Sequence, residues 1–146
     1  MSMDTEAKVS IPLKAKAEAG EIPELLLRKM FSNFIKLVNN GYEVSELEGK
    51  YKPSWEYGEP TSKRHEDWLN EARANNLHHY HVGFVDYNKG SGNDKDYPGR
   101  ESDGIIHMTT TCLDNTLTYI VFRTDKKHPK PFSFEYDPTN DFQVAG

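Results

Sequence analysis

The sequence predicts an α+β fold: an N-terminal strand and two helices packed on a small antiparallel sheet. Three observations predict it. A broad apolar stripe at helical spacing occupies residues 26–38, and a shorter helical pattern follows a Pro-interrupted stretch. From Leu77 onward the pattern changes to short runs rich in aromatic and β-branched residues. A chain of 146 residues is the size of one domain with one core.

Residues 1–8 read as a loose tail. Val9, Ile11 and Leu13 alternate with Ser10, Pro12 and Lys14, a period-2 strand pattern that Pro12 confines to a sheet edge. Pro23 suits the first turn of a helix. Its stripe is Leu26, Leu27, Met30, Phe31, Phe34, Ile35, Leu37 and Val38. Asn39-Asn40-Gly41 ends it, with Gly41 as a left-handed cap. Lys52-Pro53 and Glu59-Pro60 break structure, with Trp55 and Tyr57 tucked beneath as satellite core. Thr61-Ser62 caps a second helix running from Lys63 to Asn75, with Trp68, Leu69 and Ala72 inward. Lys63-Arg64-His65 opens that helix at the wrong end for its dipole, which points to a partner, a neighbouring acid or a solvated face.

Strands are expected over 77–85, 105–113, 117–124 and 132–136, with Asp114-Asn115 as a tight hairpin turn. Residues 88–104 form a long Gly/Asp/Asn/Lys loop too poor in apolar residues to pack. Residues 138–146 read as a second loose tail.

Alternation along strands sorts the faces. Tyr80, Val82 and Phe84 oppose His79, His81 and Gly83. Ile106, Met108 and Cys112 oppose His107, Thr109 and Thr111, which makes Cys112 a buried, inert thiol. Residues 117–123 are apolar on both sides and belong inside the sheet. One sheet face should therefore pack on both helices. The other should be polar, carrying His79, His81, His107, Thr109, Thr111 and Arg123, with the basic segment Lys126-Lys127-His128-Pro129-Lys130 beside it.

Composition bounds the function. A net charge of −5 argues against a broad, non-specific grip on nucleic acid, while a local basic patch remains compatible with it. No run approaches the ~20 apolar residues of a membrane span. The polar start Met1 to Glu6 is unlike a signal peptide, and the lone Cys112 fits a reducing cytoplasm.

His79-Tyr80-His81 could bind metal, with His107 as a third ligand. Small cupin barrels use such a His-x-His pair, but their later Pro-x-Gly followed closely by His is absent here. No Ser or Cys nucleophile signature and no phosphate loop is present; Gly90-Ser91-Gly92 lacks the helix that should follow. Metal-free ribonuclease chemistry fits the polar face better. Attack by a 2′-hydroxyl on its phosphate needs a base, an acid and a cation, and two histidines with an arginine supply them.

The arrangement resembles the YafO family of bacterial toxins, within the RelE-like group. The residues that carry the resemblance are His79-Tyr80-His81, Arg100-Glu101-Ser102-Asp103, His107, the apolar stretch Tyr119 to Phe122, and His128. The resemblance covers roughly residues 50–130 and implies a RelE-like fold. It also implies a cytoplasmic, ribosome-associated mRNA interferase, without cofactor, paired with a cognate antitoxin. It makes His81 and His107 the acid/base candidates and Arg100 the phosphate contact. Arg123 and His128 support it, His79 is secondary, and Lys126 and Lys127 add basic RNA-binding charge. The chain departs from the group in being acidic and in its longer N-terminus and longer loop before Arg100. Two other readings stand beside it: a metal-binding sheet protein built on His79, His81 and His107, and an interaction protein acting through its loop and Lys126, Lys127 and Lys130.

Overall fold

The computed structural model describes residues 4–56, 59–83, 104–126 and 134–145. Arg100, Asp103, Lys127, His128, Lys130 and most of the 88–104 loop lie outside them, as does Tyr57.

The fold is α+β around a five-stranded mixed sheet of order β1-β5-β4-β3-β2. In chain order the elements are β1 (Asp4–Val9), α1 (Ile11–Glu18), α2 (Glu24–Met30), a π-helical turn (Phe31–Ile35), α3 (Lys36–Asn39), β2 (Tyr51–Pro53), α4 (Lys63–Ala74), β3 (Leu77–His81), β4 (Ile105–Leu113), β5 (Thr116–Asp125) and the short α5 (Pro138–Asp141). No described helix is long and apolar enough to cross a membrane.

The expected tail at residues 1–8 is instead largely β1, which pairs in parallel with β5 from Asp4↔Thr116 to Val9↔Val121. The sheet is therefore mixed, not purely antiparallel. The strand expected over residues 9–13 breaks at Ser10, whose hydroxyl caps α1, and Pro12 takes the first helical turn where its missing N–H costs nothing. β1 is an edge strand with a guard. The Asn39 amide accepts from the Ala7 N–H at 2.7 Å and donates to the Ala7 carbonyl at 3.3 Å, occupying the groups a further strand would use. At the opposite edge β2 is short and ends at Pro53.

The long helical stripe forms, but as two α-helical pieces joined by the π turn, and Phe31, read as part of its inward face, is exposed where that turn begins. There the extra backbone width lets Asn33 donate to the Val82 carbonyl at 2.7 Å. Gly41 takes φ +95° and its N–H bonds the Val38 carbonyl, while Tyr42 N–H reaches Leu37, a Schellman stop. Ser62 caps α4 by accepting from the His65 N–H, and Trp68, Leu69 and Ala72 are buried as expected. Asp114 and Asn115 both have positive φ, the geometry of a type I′ hairpin turn.

The main difference from expectation is layering. The two helical blocks lie on opposite faces of the sheet. Leu26, Met30, Phe34, Ile35 and Val38 pack on Ala7, Tyr80, Val82, Ile106, Met108, Tyr119 and Val121. Trp68, Leu69 and Ala72 pack with Leu77 and Phe122 on the other face, joined by Trp55, Phe134, Tyr136 and Phe142. Residues 134–137 form no strand; they run across this second face. The tail expected from 138 onward forms α5, and Phe142 stacks on Tyr136 and meets Phe122 at 5.0 Å between ring centroids. Cys112 is exposed: Ile106 and Met108 are buried as read, but the hairpin end that carries Cys112 reaches past the helices.

Candidate functional site

One row of side chains crosses four strands. Lys52 on β2 pairs with His79 on β3, His79 with His107 on β4, and His107 with Arg123 on β5. His81 stands one pleat repeat along β3 from His79. The Ser54 hydroxyl lies 3.1 Å from His79 Nδ1, so the even-numbered residues of β2 project onto the same face as this histidine. Tyr51, next to Lys52, turns the other way, into the main core.

Arg123 reaches this face because of a β-bulge. Simple alternation from Tyr119 and Val121 would send it toward α2. The register shifts instead: His107 pairs with Arg123 and Met108 with Val121, leaving Phe122 as the extra residue. Phe122 and Arg123 then both contact the Phe134 ring, Phe122 at 6.1 Å between centroids and the Arg123 guanidinium at 4.5 Å.

Asp125, a residue the sequence reading did not single out, ties the row together. His107 Nε2 sits 2.6 Å from its Oδ2, and Arg123 grips it with two bonds, Nε to Oδ2 and a terminal nitrogen to Oδ1, each 3.0 Å. Burial pushes the Asp125 carboxyl up, but the hydrogen bonds and charges of His107 and Arg123 outweigh it and hold the group below its ordinary value. A carboxylate on Nε2 fixes the His107 proton there and leaves Nδ1 as the nitrogen that can exchange a proton with a ligand.

His79 lies between the other two imidazoles, 5.7 Å from His81 and 6.4 Å from His107 by ring centroids. Its central place makes it a full member of the row and not the secondary residue expected from sequence. All three are buried, with His107 0 %, His79 5 % and His81 4 % exposed. The face is therefore roofed, contrary to the open polar surface expected. Part of the roof over His107 is Phe134, whose ring centroid is 4.5 Å away and whose carbonyl accepts from the Trp68 indole at 2.7 Å.

Other expected residues fall elsewhere. Thr109 is buried, donating to the Asn75 carbonyl at 2.8 Å, a structural contact, and Thr111 is exposed. Lys126 is exposed just past the end of β5. His65, read as part of a basic helix start, is buried and its Nδ1 accepts from the Thr61 N–H. Lys50, fully buried beside His81, is a cation the sequence reading overlooked; its carbonyl accepts from the His81 N–H at 3.0 Å. Among the described residues no three His, Cys, Asp or Glu side chains are grouped to hold a metal ion, so His79, His81 and His107 lack metal-site geometry.

Comparisons with protein-family models, with curated proteins and with solved structures return no match to this chain.

Proposed function

We propose that the chain is an endoribonuclease that cleaves by acid/base chemistry on the His79–His81–His107 face. The observation that carries this reading is the single cross-strand row His79–His107–Arg123, locked by Asp125. It gathers proton-transfer groups and a fixed cation at one spot. In the reaction, one imidazole takes the proton from a ribose 2′-hydroxyl as its oxygen attacks the adjacent phosphorus. A second imidazole gives a proton to the departing 5′-oxygen as that P–O bond breaks, leaving a 2′,3′-cyclic phosphate and a free 5′-hydroxyl. Arg123, held in a fork by Asp125, faces the negative charge that builds on the phosphorane oxygens. Arg100 joins it in this proposal as a second phosphate contact.

The wider reading is a RelE-like toxin of the YafO kind, acting in the cytoplasm on ribosome-bound message and restrained by an antitoxin. Support for it is the resemblance in His79-Tyr80-His81, Arg100 to Asp103 and His107, together with the α+β architecture. On this reading the Phe134 ring, 4.5 Å from His107, stands between that imidazole and the RNA.

The test is cleavage of a labelled single-stranded RNA by purified protein with chelator present, alongside growth after induced expression. The wild type should yield cyclic-phosphate ends and arrest growth. His107→Ala and His81→Ala should each lower cleavage by about 100-fold or more, the usual contribution of an acid/base group. A soluble, folded wild type that neither cleaves nor arrests growth refutes the proposal.

A further inference from the structure

Lys52 and Arg123 stand at the two ends of the row, with His79 and His107 between them. Three strand spacings of ~4.8 Å separate the end residues, a span of about 14 Å. The two ends are also where the row meets solvent. Lys52 is half-buried and the Arg123 side chain is 37 % exposed, whereas the imidazoles between them are closed over.

We infer that Lys52 forms a second phosphate subsite, so that a single RNA strand crosses the sheet perpendicular to its strands. The scissile phosphate lies at the His79–His107–Arg123 end and a neighbouring phosphate of the same strand lies on Lys52. The inference rests on the endoribonuclease reading and adds the path of the substrate. Three features argue for it. Lys52 shares the pleat parity of Ser54, whose hydroxyl touches His79, so its side chain leaves the sheet on the site face. A lysine ammonium is a compact point charge suited to a non-bridging phosphate oxygen, while the fork of Arg123 is already oriented by Asp125. Lys50, the residue before β2, has the same parity as Lys52 and is joined to His81 through its backbone carbonyl, which puts a second lysine next to the row. This local row of cations reconciles an acidic chain with a polyanionic substrate: the attraction is confined to one line across the sheet.

Binding of a phosphate chain releases counterions, so the dependence of affinity on salt counts the contacts. The probe is a fluorescently labelled single-stranded oligonucleotide with 2′-O-methyl riboses, which cannot be cut. Its affinity is measured by anisotropy across a salt series. Lys52→Met should weaken binding several-fold at low salt and reduce the magnitude of the log–log salt slope by about 0.7, the value for one contact on a single strand, while Lys52→Arg keeps the slope. Lys29→Met, on α2 against the opposite face, is the control and keeps wild-type affinity and slope. A Lys52→Met protein with wild-type melting and an unchanged slope overturns the inference. If the wild type cleaves RNA yet the slope ignores Lys52, only the subsite fails. If the wild type neither binds the probe nor cleaves, the endoribonuclease reading fails and takes the subsite with it.

Discussion

Replacing Asp125 with Asn tests the part of the site on which the rest depends. The change keeps size and shape and removes charge. The carboxylate accepts one bond from the fully buried His107 and two from Arg123. A hydrogen bond to a charged group contributes about 1.5–3 kcal/mol when buried, which applies to the 2.6 Å His107 contact. The Arg123 side chain is 37 % exposed, so its fork is screened by solvent and counts for about 0.5–1 kcal/mol. Asn retains one acceptor oxygen, but its NH2 confronts a donor. The net expected loss is about 2–3 kcal/mol at pH 7, read from urea denaturation. The pH dependence gives an internal check. The folded carboxyl is held below its ordinary value of 3.8, so its contribution is complete above the unfolded value and disappears as pH falls through the folded one. Wild type and Asp125→Asn should therefore converge in stability as pH falls below 3.8 and through the lower folded value. A variant within 0.5 kcal/mol of wild type at pH 7, or a gap that persists undiminished into acid, would refute the assignment of Asp125 as the electrostatic tie.

Further expectations concern the frame around the site. An Ala at Gly49 would place its Cβ on the His81 carbonyl oxygen and 2.7 Å from the Tyr80 ring, so Gly49→Ala should cost about 3 kcal/mol in chemical denaturation; near-neutral stability would contradict that close approach. Asn115 holds φ +66° in the β4–β5 turn, and Asn115→Gly should raise stability by about 0.5 kcal/mol, a gain that an ordinary turn would not show. His78 is stacked on Tyr51 at 5.1 Å, and burial lowers its imidazole below the usual 6.5. The unfolded chain then binds the proton first, so stability should fall as pH drops below 6.5. His78→Gln should flatten that dependence, measured as melting temperature from pH 7.5 to 5.

What the sequence made legible were features written in local chemistry. Ser62 as a cap, Asp114-Asn115 as a turn and Gly41 as a stop each depend on a few adjacent residues, and each appears where expected. The strand bearing His79 and His81 and the one bearing His107 were legible from alternation alone. What escaped depends on partners far away in sequence. β1 looked like a tail because Asp4, Glu6 and Lys8 hide its apolar residues; it is a strand only because β5 lies beside it. The placement of α4 on the second face was equally hidden, since an amphipathic helix shows which side is buried and not which layer covers it. Asp125 carried no motif, and the Phe122 bulge that aims Arg123 breaks the alternation on which face reading relies. Cys112 was misplaced for a simpler reason: a face is not buried along its whole length.

The parallel pairing of β1 with β5 has a consequence for the life of the chain. β1 can find its neighbour only when residues 116–121 exist, and the Thr118 hydroxyl bonds Glu6 across a separation of 112 residues. Contacts this distant close slowly, after local helices and the β4–β5 hairpin have formed. Arg123 and Asp125 lie at the far end of the same late strand. β1 therefore closes the sheet onto a hairpin that already carries His107, Arg123 and Asp125.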